Sequence, residues 1–378
     1  MKIINNKSIL LSLALSSSLF ASTYEYPQLY KDTKIMGMGG ANIAVGGQST
    51  SLFYNTAGIA DIPKEYGWEV DILNMNFTAS QNIQDFMDDM DEADDDDQEV
   101  IAVTKKYLGK NLNISTTVGI ANVAKKFDEY AFSIVPIAGM NLNIKTHNEA
   151  ANGILETQGL VYSGFALGVS KDMPDQNFLG YDIKQISLGV GLKSLQYKSI
   201  YANLSVSELI DDDLSDYFED KYTKDGSSTV LDLGAKAEVY PDVTAGVSIQ
   251  NIGSIASEIK TNEIPTTVSL GVAYKHRFNR TYFNQYQVAF DYIDLFQAYS
   301  QDNDFIKRTR LGISGNAFDG WGGTLALQAG LYQGHPTYGI DFRATVVKLS
   351  YTTYTEEVGA YSGQDKDTRH MFQLSFGW

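Results

Sequence analysis

From residue 66 onward the chain repeats with a period of two. In "QISLGVGLK", Ile186, Leu188, Val190 and Leu192 share one face, and Gln185, Ser187, Gly189, Gly191 and Lys193 share the other. In "VLDLGAKAEV", Leu231, Leu233, Ala235, Ala237 and Val239 alternate with Asp232, Gly234, Lys236 and Glu238. The same alternation runs through "VTAGVSIQ", "TVSLGVAYK", "YQVAFDY", "TLALQAGL" and "VKLSY". Strict alternation of this kind predicts strands with one apolar and one polar face. About 14 such strands are read between residues 66 and 378. Many have ten residues or more, the length of a tilted membrane-spanning strand and longer than the usual strand of about five or six.

The links between them alternate in length. Those after the first, fifth, seventh, ninth and thirteenth strands are long, whereas "YPD" (240–242) and "RFN" (277–279) are tight turns. Two links depart from the rule: 171–180 is long where a short turn is due, and 334–335 is short. Short periplasmic turns and long outer loops are the pattern of an outer-membrane barrel, and an even strand number lets the sheet close antiparallel. The fold expected is therefore all-β, a transmembrane antiparallel β-barrel over residues 66–378. Its polar face, rich in glycine, places Lys193, Asp232, Lys236, Glu238, Asp291, Arg310, Asp341, Arg343 and Lys348 in the lumen. Charges inside a barrel need partners or water, so a salt-bridge network or a selective constriction is expected there.

The chain ends on "RHMFQLSFGW", where Phe372, Leu374, Phe376 and Trp378 alternate with Gln373, Ser375 and Gly377. A last amphipathic strand with an aromatic terminus resembles the signal read by the outer-membrane barrel assembly machinery. At the other end, Lys2 and Lys7 precede the short apolar run Ile9 to Leu15. This is the layout of a secretory signal, with cleavage expected after Ala21. Residues 22–65 then form a separate N-terminal segment.

Composition narrows the function classes. Hydrophobic residues are 43% of the 378, yet mean hydropathy is −0.20, which does not suit a helical membrane bundle. The net charge of −17 argues against nucleic acid as a partner. Without cysteine there is no disulfide, thiolate metal site or Cys nucleophile. The four histidines, His147, His276, His335 and His370, lack metal-ligand spacing. His147 and a serine could form a hydrolase pair only without any nucleophile motif to support them. No metal, cofactor or enzyme activity is expected.

Residues 34–60, "KIMGMGGANIAVGGQSTSLFYNTAGIA", invite a phosphate-loop reading. Asn42 stands where a third glycine would be needed, and no Lys-Ser/Thr pair or parallel α/β pattern follows. Close packing against a barrel wall is the better account, because glycine lets backbones approach and tolerates positive φ. The acidic run Asp85 to Asp97 lacks the glycine and ligand spacing of an EF-hand. With Ile83, Phe86, Met87 and Met90 at helical spacing, loop 79–109 is expected to be a solvated outer loop holding a short amphipathic helix. A second acidic stretch, Glu208 to Asp220, faces the same side. Such loops could recruit divalent cations that bridge to lipopolysaccharide.

The N-terminal stretch resembles a motif of the FadL-type superfamily of outer-membrane barrels. That motif is a Gly-Gly-Ala segment followed by an Asn-Pro-Ala-Gly run. The matching positions are Gly39, Gly40, Ala41 and Ala44, then Ser51, Tyr54, Asn55, Ala57 and Gly58, with Thr56 in place of the proline, and Gly37 joins them in the expected hatch. "AGVSIQNIGS" (245–254) and "IPTTVSLGVAY" (264–274) resemble later strands of the superfamily. The nearest resemblance is to the conjugal-transfer TraF-type outer-membrane proteins. It rests on "NIQDFMDDMDEADDDD" after a strand, on "GVGLKSLQYKSI" leading into an acidic stretch, and on "VLDLGAKAEV" before an Asn-Ile-Gly segment. The thioredoxin-like proteins that share the TraF name are excluded by the missing cysteines. The resemblance implies a 14-stranded barrel in the outer membrane, with the N-terminal segment folded inside as a hatch. It implies passive passage of small hydrophobic molecules once the hatch shifts. The alternative is a non-conducting scaffold for a conjugal-transfer or secretion apparatus. Lipid and lipopolysaccharide are the expected surroundings in both cases.

Overall fold

A computed structural model describes residues 25–62, 68–93, 97–147, 154–178, 181–209, 213–259, 262–280, 282–299, 304–320 and 322–377. The expected signal segment 1–21 and the terminal Trp378 lie outside these residues. Fourteen strands of the described residues form one closed antiparallel sheet. They are β1 (Trp68–Ser80), β2 (Asn111–Gly119 continued by Asn122–Phe127), β3 (Tyr130–Thr146), β4 (Leu155–Met173), β5 (Tyr181–Leu204), β6 (Thr223–Tyr240) and β7 (Val243–Ile252). The second half is β8 (Thr267–Arg277), β9 (Tyr282–Tyr292), β10 (Thr309–Gly320), β11 (Gly323–Tyr332), β12 (His335–Ala344), β13 (Val347–Glu357) and β14 (Lys366–Gly377). Each pairs with its sequence neighbour, and β1 pairs with β14 to close the barrel, with Phe77 opposite Phe372.

Burial runs opposite to that of a soluble protein. Leu188 and Val190 on β5 are 47% and 54% exposed, while Lys193 and Asp232 are 3% and 0% exposed. The apolar face therefore points to lipid and the polar face inward, the arrangement of a membrane barrel. No helix of the described residues is long and apolar enough to cross a membrane.

The alternation reads the second strand as 110–122, whereas the structure carries it to Phe127, with the turn at 128–129. The cause is a paired irregularity. Ala121 has φ 58° and Leu73, across the ladder, has φ 60°. The register there steps from Asp71–Asn122 to Asn74–Gly119. On both strands the inward set changes parity at this point, so an alternation read through it loses phase. The link 174–180 carries a three-residue strand, Gln176–Phe178, that prolongs the hairpin between β4 and β5. The link between β11 and β12 is two residues, 333–334. Both exceptions to the loop rule are therefore real features of the connections.

The first acidic loop holds two helices, α2 (Ile83–Glu92) and α3 (Asp97–Lys106), and the second holds α4 (Val206–Leu209) and α5 (Leu214–Tyr222). The loops are less solvated than expected. Ile83, Phe86 and Tyr107 bury themselves against Leu112, Leu155, Ala202 and Leu204 on the outward face of β2, β4 and β5, where those strands rise past the apolar belt. At the opposite, short-turn end, Trp68, Phe127 and Phe132 make one aromatic cluster with Lys125, and Lys171 lies over the ring of Tyr130. Tyr274, Phe278 and Tyr286 make another around His276. Aromatic girdles mark the membrane–water boundary of such barrels.

Candidate functional site

Residues 25–62 cross the lumen and touch the inner faces of strands on every side. A short helix α1 (Thr33–Gly37) lies against β11 to β14, Ser49–Phe53 against β2 to β4, and Thr56–Asp61 against β2 to β6. Leu52, Phe53, Tyr54 and Ile59 pack on small inward residues such as Ala124, Ala131 and Ala166. The strand alternation fixes which side chains meet the segment, and two kinds of contact hold it.

The first kind is a row of glycine sockets in the wall. A Cβ on Gly312 would lie 2.0 Å from the carbonyl oxygen of Met38, and one on Gly330 2.5 Å from the amide of Gly39. A Cβ on Gly189 would reach 2.4 Å from the amide of Ala57, and one on Gly234 2.0 Å from the side chain of Asn55. Gly246 and Gly271 give the same room to Ile43 and Ala44. On the segment's side, Gly39 and Gly40 have φ of 65° and 79°, where a side chain would be strained. Polar pins complete the fit. Asp291 Oδ2 accepts the amides of Asn42 (2.6 Å) and Ile43 (2.9 Å). Thr337 Oγ1 accepts from the Gly39 amide and donates to the Gly37 carbonyl. Asn55 Nδ2 donates to the carbonyl of Ile43 at 2.8 Å, and Lys236 pairs with Asp61.

The second kind is ionic and holds residues 25–31. Glu25 accepts from Arg369 Nη1 at 2.9 Å, from Asn141 Nδ2 at 3.2 Å and from Asn143 Nδ2 at 3.3 Å, and it also pairs with Lys31. Lys31 reaches Glu356 at 2.6 Å and lies over the rings of Tyr354 and Tyr332. Asp367 holds Arg369 from its own strand at 2.6 Å. Burial alone would push the Glu25 carboxyl up, but Arg369 and Lys31 hold it well below the usual carboxylate range. Burial would push the Lys31 ammonium down, and Glu25 and Glu356 raise it instead. Asp32 caps α1 through the Ile35 amide and pairs with no cation of the described residues. Burial pushes it up to about 6.

Two chambers flank residues 26–29. One is lined by Asn76, Asn141, Asn143, Gln158 and Thr117 among others. The second lies towards β7 to β11 and is lined by Tyr30, Phe53, Asp291, Arg310 and Tyr332. Tyr26, Pro27, Gln28 and Leu29 line both.

The expected lumen charges divide into two groups. Lys193, Asp232, Lys236, Asp291 and Arg310 are buried around the segment. Lys193 donates to Asp232, to Gln250 at 2.7 Å and to Asn251 at 2.9 Å. Glu238, Asp341, Arg343 and Lys348 are half-buried towards the short-turn end. Of these, Lys348 pairs with Asp71, and Asp341 accepts from Ser350 at 2.6 Å. Glu238 and Arg343 form no ion pair with a described residue. Of the segment residues, Ala41, Ala44, Tyr54, Asn55 and Ala57 are all buried against the wall. Phe372 and Phe376 face lipid at 53% and 38% exposure, with Ser375 buried on the inner face. Sequence reasoning missed Glu25, Lys31, Glu356 and Arg369. Only Arg369 carried a signal, since alternation puts it on the polar face with Gln373 and Ser375.

The fold is shared with solved barrels of low sequence identity. A Pseudomonas aeruginosa FadL homologue matches with a TM-score of 0.53 at 10% identity, over 94% of this chain and 99% of that one. The Pseudomonas putida toluene transporter TodX matches at 0.50 and 11%, over 93% and 98%. The monoaromatic hydrocarbon channel CymD matches at 0.50 and 10%, over 95% and 98%. No curated protein sequence matches the chain. The closed barrel and its outward apolar belt make it an outer-membrane protein. The family model described as "F plasmid transfer operon, TraF, protein" matches residues 52–302. That match covers more than half of the chain and includes the second part of the lumen segment and β1 to β9, so the protein belongs to this TraF family.

Proposed function

We propose that the protein is a passive outer-membrane channel for small hydrophobic molecules, gated from within by its N-terminal segment. The observation that carries this reading is the position of residues 26–29, a single strand of chain between two chambers. Displacing it would join them. The likeness to barrels titled as hydrocarbon channels supports the reading. The body of the segment, 37–58, is pinned by sockets around the wall and serves as the fixed part. The strap, 25–31, hangs on an ionic latch and serves as the moving part.

The test is uptake by proteoliposomes with lipopolysaccharide in the outer leaflet. Full-length protein should admit a small aromatic probe faster than empty vesicles, and removing residues 36–58 should raise uptake and ion leakage together. Equal uptake by empty vesicles, full-length protein and deletion would sink the reading. A scaffold for a transfer apparatus is the second reading, favoured by the family's description alone. Helices α2 to α5 are then the docking surface, and photo-crosslinkers in α2 should trap a protein in cells. Trapping only lipid would count against it.

A further inference from the structure

The second chamber contains an uncommitted cation. Arg310 is 2% exposed, and its guanidinium stacks 4.1 Å from the centre of the Tyr332 ring. Nη1 donates to the carbonyls of Lys307 at 2.6 Å and Thr309 at 2.9 Å. Nε and Nη2 donate to no described residue, and no described carboxylate forms an ion pair with the group. The neighbouring charges make no hydrogen bond to it. Asp291, opposite Arg310 across the β9–β10 ladder, gives Oδ2 to the Asn42 and Ile43 amides, and its buried Oδ1 has no hydrogen-bond partner among the described residues. Lys193 is taken by Asp232, Gln250 and Asn251. Around Arg310 the chamber is aromatic, with Tyr26, Tyr30, Phe53 and Tyr332 on its walls.

A pure hydrocarbon entering this space would displace water from the guanidinium and offer no acceptor in return, which is unfavourable for a buried charge. A ligand with a planar oxyanion would meet the free Nε and Nη2 edge in the side-by-side geometry that guanidinium and carboxylate favour. Its ring would meet aromatic faces. We propose that this chamber is a binding site for a one-ring aromatic carboxylate, held through Nε and Nη2 of Arg310. The inference rests on the channel reading above and changes its cargo from hydrophobic to amphipathic.

Equilibrium dialysis of full-length protein in nanodiscs against labelled benzoate, benzamide and toluene tests it. Benzoate should bind saturably and at least tenfold more tightly than benzamide, and benzamide more tightly than toluene. Arg310→Met, accepted as folded if it keeps heat-modifiable gel migration, should weaken benzoate at least tenfold and bind toluene more tightly than the wild type does. Arg310→Lys should fall between. Toluene binding as tightly as benzoate, or a folded Arg310→Met that binds benzoate as well as wild type, would overturn the proposal. The wild-type ranking decides even if neither variant folds. Failure of the channel reading is separate: benzoate would bind, yet neither benzoate nor toluene would enter lipopolysaccharide proteoliposomes.

Discussion

The two parts of the N-terminal segment meet the same wall in different ways. Residues 37–58 fit glycine sockets spread over β4 to β12, with backbone against backbone and few charges. Residues 25–31 are held by side-chain tips: Glu25 on Arg369 and two asparagines, Lys31 on Glu356. Socket packing is steep in distance, since a small displacement forfeits many contacts at once and the wall cannot follow. A salt-bridged tip can exchange partners with water or another ion. Removing one member of a buried pair is costly, about 3–5 kcal/mol, because the other is left uncompensated. Under the proposed gating, the body is the fixed part and the strap the moving one.

The largest effect should come from filling a socket. Gly312→Leu puts a side chain where Met38 now sits, and overpacking of this kind costs about 1–3 kcal/mol or more. It should unseat the body, expose residues 37–58 to protease and raise ion conductance at least tenfold in planar bilayers. Gly315→Leu on the same strand is the control. Its added Cβ would meet nothing closer than 3.8 Å, and conductance should stay at the wild-type level. Equal conductance of the two variants would show that the sockets do not seat the body.

A smaller effect should come from pH, with a sign that separates Asp32 from Glu25. The Asp32 carboxyl is raised from 3.8 to about 6, so its contribution to seating is fully present below about pH 4 and lost as pH rises through 6. Glu25 is lowered, so its contribution is present above its ordinary 4.5 and is lost only in strong acid. Protease cleavage of the segment should therefore be slower at pH 5 than at pH 7.5. Asp32→Asn should flatten that difference, and an unchanged difference in this variant would remove Asp32 as its source.

The barrel was legible because a period of two survives in nearly every strand, and lipid outside with polar groups inside only inverts its meaning. It failed at 120–121, where Leu73 and Ala121 shift the phase of two adjacent strands. The lumen was half legible. Alternation puts Lys193, Asp232, Asp291 and Arg310 on the inner face, but it cannot say that Asp291 holds Asn42. The inner-face glycines read as a lining of small groups, while their role as sockets depends on residues far away in the chain, as Gly312 is from Met38. The latch was illegible for the same reason. Glu25 and Arg369 are 344 residues apart; alternation puts Arg369 on the inner face, but nothing local marks Glu25 or pairs the two.

The strap is the most direct place to test gating. The chain has no cysteine, so Glu25→Cys with Asn143→Cys gives a unique pair across the latch, to be joined by a short reducible thiol crosslinker. Uptake of a small aromatic probe into lipopolysaccharide proteoliposomes is then measured before linking, after linking and after reduction. The gated-channel account predicts uptake above wild type with the latch cut, a fall to near the empty-vesicle rate when linked, and recovery on reduction. Uptake that is the same in all three states would contradict it.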